Sequence, residues 1–241
     1  MKILMYHLID DIDSPMAVPP SRFAEQMALL AGEGYRLITG SELHDALLNR
    51  QPLPHNAVLV TFDDGYTNTF TTALPVLEHY GVPAVMAVCG GYLTDDLPLH
   101  LPHTSQEIAE TAAVAAWLES GREIAAHSYT HPRLTTLTDT ALHWQIHGDA
   151  ETLTELLGVT PRIFAYPYGA HDARVRAAVA QVYPLAMATG EHQATGLDPH
   201  RLPRIQVDPR WDLRQFRTAL HDNPVVASER RTSPTPTSES R

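Results

Sequence analysis

Apolar residues along this chain alternate between compact runs and longer stretches where they recur every three or four positions. The runs at 3–6, 35–38, 57–62, 84–88, 123–126, 163–165 and 185–188 are too short for helices and read as strands. Helical periodicity fills the intervals. Ser21 starts one helix that carries Phe23, Met27 and Leu30 on one face, and Ser41 caps a second. A third begins at Thr104 or Ser105 and runs to Ser120, where Gly121 ends it. Further helices are expected over 69–80, 138–157, 172–182 and 212–220.

Seven β-then-α units in series call for a mostly parallel sheet. The expected fold class is α/β, as a distorted (β/α) barrel of about seven strands, with an open doubly wound sheet as the alternative. No repeat at a solenoid period interrupts the series. Residues 91–103, with Asp95, Asp96, Pro98 and Pro102, read as a long loop near the barrel mouth. The domain is expected to occupy 1–225. Residues 226–241, rich in Ser, Thr and Pro, cannot build a core and read as a disordered tail.

Composition narrows the partners. A chain of 241 residues, 44% hydrophobic and 19% charged, suits one globular domain, and no apolar run approaches the roughly 20 residues that span a bilayer. The net charge of -11 argues against nucleic acid or an anionic membrane surface and favours a neutral or cationic substrate. The single cysteine, Cys89, lies in an apolar run and reads as a buried core thiol. The N-terminal apolar stretch turns polar at Asp10, too early for a signal-peptide core, so the expected location is cytoplasmic, with export left open.

Chemistry-bearing residues gather at strand ends, where barrel active sites are built. The strand at 57–62 runs into Asp63, Asp64 and Gly65. Two adjacent carboxylates in a partly buried site need a cation or a proton between them; the alternative is a strand-end turn in which an Asp caps the next helix. The strand at 123–126 runs into His127 and His131. Pro132 biases His131 away from helical angles, so the pair sits on a loop, either as surface decoration or aimed at one ion. Two imidazoles and a carboxylate make a set suited to zinc or another divalent metal. After the strand at 163–165 come Tyr166, Pro167, Tyr168 and Gly169, a rigid aromatic turn whose rings would wall a sugar and whose Tyr168 amide would face a ligand, or else a packed turn. His7 ends the first strand, as a rim residue or a catalytic one.

Read together, Thr61-Phe-Asp-Asp-Gly65, His127-Ser-Tyr-Thr-His131 and Phe164-Ala-Tyr-Pro-Tyr-Gly169 resemble the ordered motifs of the polysaccharide deacetylases, carbohydrate esterase family 4. Leu4-Met-Tyr-His7, Gln26 with Met27, Gly34 with Tyr35, and Leu202-Pro-Arg-Ile205 further resemble the branch acting on poly-β-1,6-N-acetylglucosamine. The resemblance covers roughly residues 1–220. It implies a hydrolase that removes N-acetyl groups from N-acetylglucosamine-containing poly- or oligosaccharide with a divalent metal, zinc first, then cobalt, nickel or iron(II). It implies Asp63 as general base, Asp64, His127 and His131 as metal ligands, and an oxyanion contact from the Tyr168 amide. In that branch the last motif is permuted to the N-terminus, which makes His7 the general acid. His221, followed by Asp222, superficially matches the unpermuted position but follows a helical pattern.

One position departs from the family pattern. Ala165 stands where many members carry the arginine that orients the base. Arg204 is the candidate substitute, a guanidinium able to hydrogen-bond Asp63 and keep it ionised, against the reading of an ordinary surface arginine. Two rival functions differ in class: a carbohydrate-binding homologue without turnover, and an amidohydrolase acting on peptidoglycan or a small amide.

Overall fold

The computed structural model describes residues 1–94, 97–102, 104–190 and 198–222. Ten strands occur among them: β1 Lys2–Tyr6, β2 Leu8–Ile9, β3 Ala17–Val18, β4 Arg36–Leu37, β5 Ala57–Phe62, β6 Ala84–Val88, β7 Glu123–Ala126, β8 Ile163–Ala165, β9 Leu185–Met187 and β10 Ile205–Gln206. The α-helices are α1 Pro20–Gly32, α2 Gly40–Leu48, α3 Leu74–His79, α4 Thr111–Glu119, α5 Asp139–His143, α6 Asp149–Leu157, α7 Ala173–Val179 and α8 Leu213–Asp222.

All pairings in the main sheet are parallel, in the order β10-β1-β5-β6-β7-β8-β9, with β4 set against the start of β5. The order explains the curl. β9 meets Leu202 through a parallel bridge from Met187, and two residues beyond Leu202 and Pro203 the chain pairs with β1, Leu4 opposite Ile205. The segment 202–206 therefore carries the sheet from its last strand back toward its first, the closure expected of a distorted barrel.

Side-chain parity divides the core into two layers. Ile3, Leu59, Val85, Ala125, Ile163, Ala165, Leu185 and Met187 pack together inside the curl. Leu4, Tyr6, Val60, Phe62, Met86, Ala126, Phe164 and Ala186 point outward against the helices. Successive residues of a strand face opposite sides, so every odd-numbered position on these strands faces the interior. Continuing that parity past the C-terminal ends brings His7, Asp63 and His127 to one mouth.

Several elements differ from the sequence reading. The second helix is capped by Thr39, not Ser41: the Thr39 side chain accepts from the Glu42 amide at 3.0 Å while the Glu42 carboxylate accepts from the Thr39 amide at 2.9 Å. Ser41 turns instead to Glu123. The third helix starts at Thr111, because Glu107, Ile108 and Ala109 are held extended by hydrogen bonds to Thr67, Leu99 and Gly65. The expected helices over 69–80 and 138–157 exist but each contains a wide π turn, Thr69–Ala73 and Trp144–Gly148. Pro75 lacks the amide that would continue the first ladder, and the Gln145 carbonyl in the second accepts from Tyr129 at 3.0 Å. The segment expected as a long loop opens with a 3-10 turn, Gly90–Leu93, and buries Tyr92, Leu93 and Leu101. Asp95, Asp96 and the expected tail at 226–241 lie outside the described residues. Among the described residues no helix is long and apolar enough to cross a membrane.

Candidate metal centre and active site

Strand parity delivers the groups, and strained backbone aims them. Asp64, Ser128, His131 and Tyr168 all adopt left-handed angles, with φ of 75, 67, 58 and 59°. Such angles cost non-glycine residues roughly 1–3 kcal/mol each and persist where surrounding structure holds them. The Ser128 hydroxyl accepts from the His131 amide at 3.1 Å and so closes the turn between the two histidines. His131 is not helical, in keeping with Pro132 after it.

Asp64, His127 and His131 are buried, and their candidate ligand atoms all lie within 4.8 Å of one another. Asp64 Oδ1 is 3.4 Å from His127 Nε2 and 3.2 Å from His131 Nε2. Ligands at zinc distances around a tetrahedral ion stand about 3.3 Å apart. His127 Nδ1 lies 2.7 Å from the Ala165 carbonyl, a contact that puts the ring proton on Nδ1 and leaves the Nε2 lone pair facing Asp64. Among the described residues no hydrogen bond reaches Asp64 Oδ1, which is buried. These three atoms fit a divalent cation, which would take the place a donor leaves open.

Asp63 has a separate environment. Arg204 donates from Nη1 to Oδ1 at 2.6 Å and from Nη2 to Oδ2 at 2.7 Å, with both side chains buried. The guanidinium is itself fixed by Nε, which donates to the Ala188 carbonyl at 3.2 Å. Burial alone would raise the Asp63 pKa, but the charges of Arg204, His127 and His7 and the Arg204 hydrogen bonds hold it below the ordinary value. For Asp64 burial pushes up as well, and the facing His127 and His131 rings with His7 hold it well below. Burial would lower the His127 pKa, yet Asp64 and Asp63 raise it.

His7 follows β1, whose Tyr6 carbonyl accepts from the Asp63 amide at 3.0 Å, so His7 and Asp63 leave neighbouring strands side by side. His221 lies elsewhere, exposed on α8 and near Glu33. Tyr168 keeps an exposed ring, 48% accessible, 4.7 Å from the His131 ring and 5.0 Å beneath the Arg133 guanidinium. The turn depends on Gly169, whose φ is 63° and where an added Cβ would fall 1.7 Å from Thr189 Oγ1. Tyr166 departs from the expected ring wall. Even-numbered on β8's continuation, it points outward, fully buried against Phe164 and His171, and its hydroxyl donates to the His200 carbonyl at 3.0 Å. Cys89 is the buried thiol expected, its burial pushing the pKa up.

Comparison with known proteins bears on the whole constellation. The profile described as polysaccharide deacetylase matches residues 50–183, more than half of the chain. The chain belongs to the polysaccharide deacetylase family. The matched segment contains Asp63, Asp64, His127, His131 and Tyr168, whereas His7 and Arg204 lie outside it on either side. The chain is 28% identical over 212 residues to the Bacillus subtilis polysaccharide deacetylase homologue YxkH, covering 87% of this chain and 72% of that one. It is 25% identical over 240 residues to poly-β-1,6-N-acetyl-D-glucosamine N-deacetylase of Escherichia coli K12, covering 83% of this chain but only 35% of that enzyme. The structure of the Streptococcus pyogenes deacetylase PplD, solved with acetate, shares the family fold with a TM-score of 0.80 at 23% identity, over 91% of this chain and 97% of that one.

Sequence reading missed residues that hold the family motifs in place. Gln145 clamps the histidine loop: its carbonyl accepts from Tyr129 at 3.0 Å, its Oε1 from the Thr130 amide at 2.9 Å, and its Nε2 donates to Thr130 Oγ1 at 2.9 Å. Asp149 is fully buried and accepts from the Gly90 amide at 2.6 Å; burial raises its pKa to about 7. Both sit within a helical pattern, where nothing in the periodicity separates them from a solvated face.

Proposed function

We propose that this protein is a metal-dependent N-deacetylase acting on N-acetylglucosamine-containing poly- or oligosaccharide. The observation that carries the reading is the convergence of Asp64, His127 and His131 beside an Asp63 that Arg204 keeps ionised, in a chain of the polysaccharide deacetylase family. The name of the Escherichia coli relative supports an amino-sugar polymer as substrate.

Asp64, His127 and His131 would hold the ion. A bound divalent metal, zinc foremost, with cobalt, nickel or iron(II) also suited to two imidazoles and a carboxylate, supplies Lewis acidity that polarises the acetamide carbonyl and lowers the pKa of a water. Asp63 accepts the proton of the attacking water, and Arg204 keeps it in the basic form without blocking that role, since a carboxylate has lone pairs beyond the two the guanidinium occupies. The Tyr168 backbone amide donates to the carbonyl oxygen as it gains negative charge. His7, entering from β1 beside β5, protonates the departing amine, without which an amide is a poor leaving group.

Acetate release from acetylated chitooligosaccharides, from β-1,6-linked N-acetylglucosamine oligomers and from simple acetamides tests the assignment side by side. Turnover of an amino-sugar oligomer well above that of simple acetamides is expected. Preference for a small amide, or binding of oligomers without release, would overturn it.

A further inference from the structure

Trp144 is 55% accessible, more than any other large hydrophobic side chain among the described residues. Its exposure is not that of a loose side chain. The indole lies across Gly148, where an added Cβ would stand 3.1–3.3 Å from Cδ2, Cε3 and Cε2. A second contact comes from Tyr129, whose ring centroid is 5.4 Å away at an interplanar angle of 60°. Glycine inside a helix costs roughly 1 kcal/mol relative to alanine, and at this position it is what leaves room for the ring. The π turn Trp144–Gly148 thus presents an indole seated on one side and open to solvent on the other.

That surface is tied to the metal centre. Tyr129 lies between His127 and His131, and Gln145, next to Trp144, holds both Tyr129 and Thr130 by the three hydrogen bonds described above. The position of the indole is therefore set relative to His131. The surroundings are polar: His143 and His147 stack on each other at 4.0 Å beside it, Gln145 follows it in the same turn, and Thr130 lies in the adjoining histidine loop. One aromatic face among hydrogen-bonding groups is too small for a protein–protein core but matches a single pyranose, whose C–H face is apolar and whose rim carries hydroxyls.

We propose that Trp144 forms the floor of an accessory sugar subsite, stacking on a pyranose of the substrate chain at a distance from the residue that loses its acetyl group. The proposal rests on the amino-sugar reading above and adds to it that the substrate is an oligomer long enough to reach Trp144.

The test compares wild type, Trp144→Ala and Trp144→Phe on N-acetylglucosamine oligomers of two to six units and on an aryl acetate, which reports the centre without the subsite. Trp144→Ala should raise KM for the longer oligomers about five- to tenfold, the scale of an aromatic contact, with kcat little changed and with the disaccharide and aryl acetate unaffected. Trp144→Phe should recover most of the loss. An equal loss on every substrate, or no loss on any, overturns the subsite. Binding of fully deacetylated glucosamine oligomers, followed by calorimetry, separates this proposal from the reading beneath it: if wild type releases no acetate, weaker binding by Trp144→Ala still supports the subsite, and unchanged binding overturns it.

Discussion

Arg204 and Asp63 form a two-pronged ion pair across the seam of the barrel, with both carboxylate oxygens engaged at 2.6 and 2.7 Å. The arginine comes from the segment that closes the sheet between β9 and β1, not from the end of β8 where Ala165 stands, yet it reaches the carboxylate from inside the same curl. Its effect on Asp63 sets a pH dependence. A carboxylate whose folded-state pKa is depressed contributes stability that is present above its unfolded value and is lost as pH falls through the folded one.

Arg204→Ala should therefore move the acidic limb of kcat/KM to higher pH and lower turnover on the order of 10²-fold. It should also cost about 3–5 kcal/mol of stability at neutral pH, because a buried carboxylate is left unpaired. Arg204→Lys should recover charge but not the fork, giving intermediate values. Thermal unfolding and a pH–rate profile check this; an acidic limb that stays in place in Arg204→Ala would detach the arginine from the base.

The adjacent aspartates should behave differently. If the proposed centre holds an ion, His127→Ala, His131→Ala and Asp64→Asn should each lose it, since each removes one of the three proposed ligands. Asp63→Asn should keep the ion and lose turnover. Elemental analysis after dialysis, beside activity, separates the two classes. Equal metal content in Asp63→Asn and Asp64→Asn at any level would contradict the division.

His7→Ala should bind metal normally and lose roughly 10²–10⁴ in rate, the scale of a positioned general acid. The loss should shrink for an aryl acetate, whose leaving group needs little protonation. His221→Ala, altered on the outer face of α8, should be nearly silent. An essential His221 with a dispensable His7 would return the acid to the C-terminal end of the chain.

Gly169→Ala should destabilise the protein and disturb the Tyr168 turn, because a methyl group would meet Thr189 at 1.7 Å on a backbone with φ of 63°. A loss of at least about 2 kcal/mol in denaturant unfolding is expected from the combined strain and clash. Unchanged stability would mean the turn relaxes freely.

The barrel was legible in the sequence because its strands are continuous apolar runs. Those at 57–62, 84–88, 123–126 and 163–165 match β5, β6, β7 and β8 residue for residue. The positions of Asp63, Asp64, His127 and His131 followed from those strand ends, and even Arg204 was within reach as a charge looking for a carboxylate. The rest depended on tertiary contacts that leave no local trace. The start of α4 at Thr111 is decided by extended pairing of 107–109 with a distant loop. The aromatic turn reads as one surface in the sequence, whereas strand parity sends Tyr166 outward into the core and the left-handed backbone at Tyr168, φ 59°, turns its ring back beside His131. The π turn at Trp144–Gly148, with its Gln145 clamp, is invisible to a periodicity that cannot tell a 3.6-residue turn from a wider one over five positions.

The central claim is that a divalent ion at Asp64, His127 and His131 drives removal of acetyl groups from amino-sugar oligomers. It is tested most directly by measuring acetate release from an N-acetylglucosamine oligomer with protein stripped by chelator and then restored with one equivalent of zinc, cobalt, nickel or iron(II). The account predicts negligible release from stripped protein and recovery with near-stoichiometric metal, and no recovery in His131→Ala. Full activity in thoroughly stripped protein, or equal recovery in His131→Ala, would contradict it.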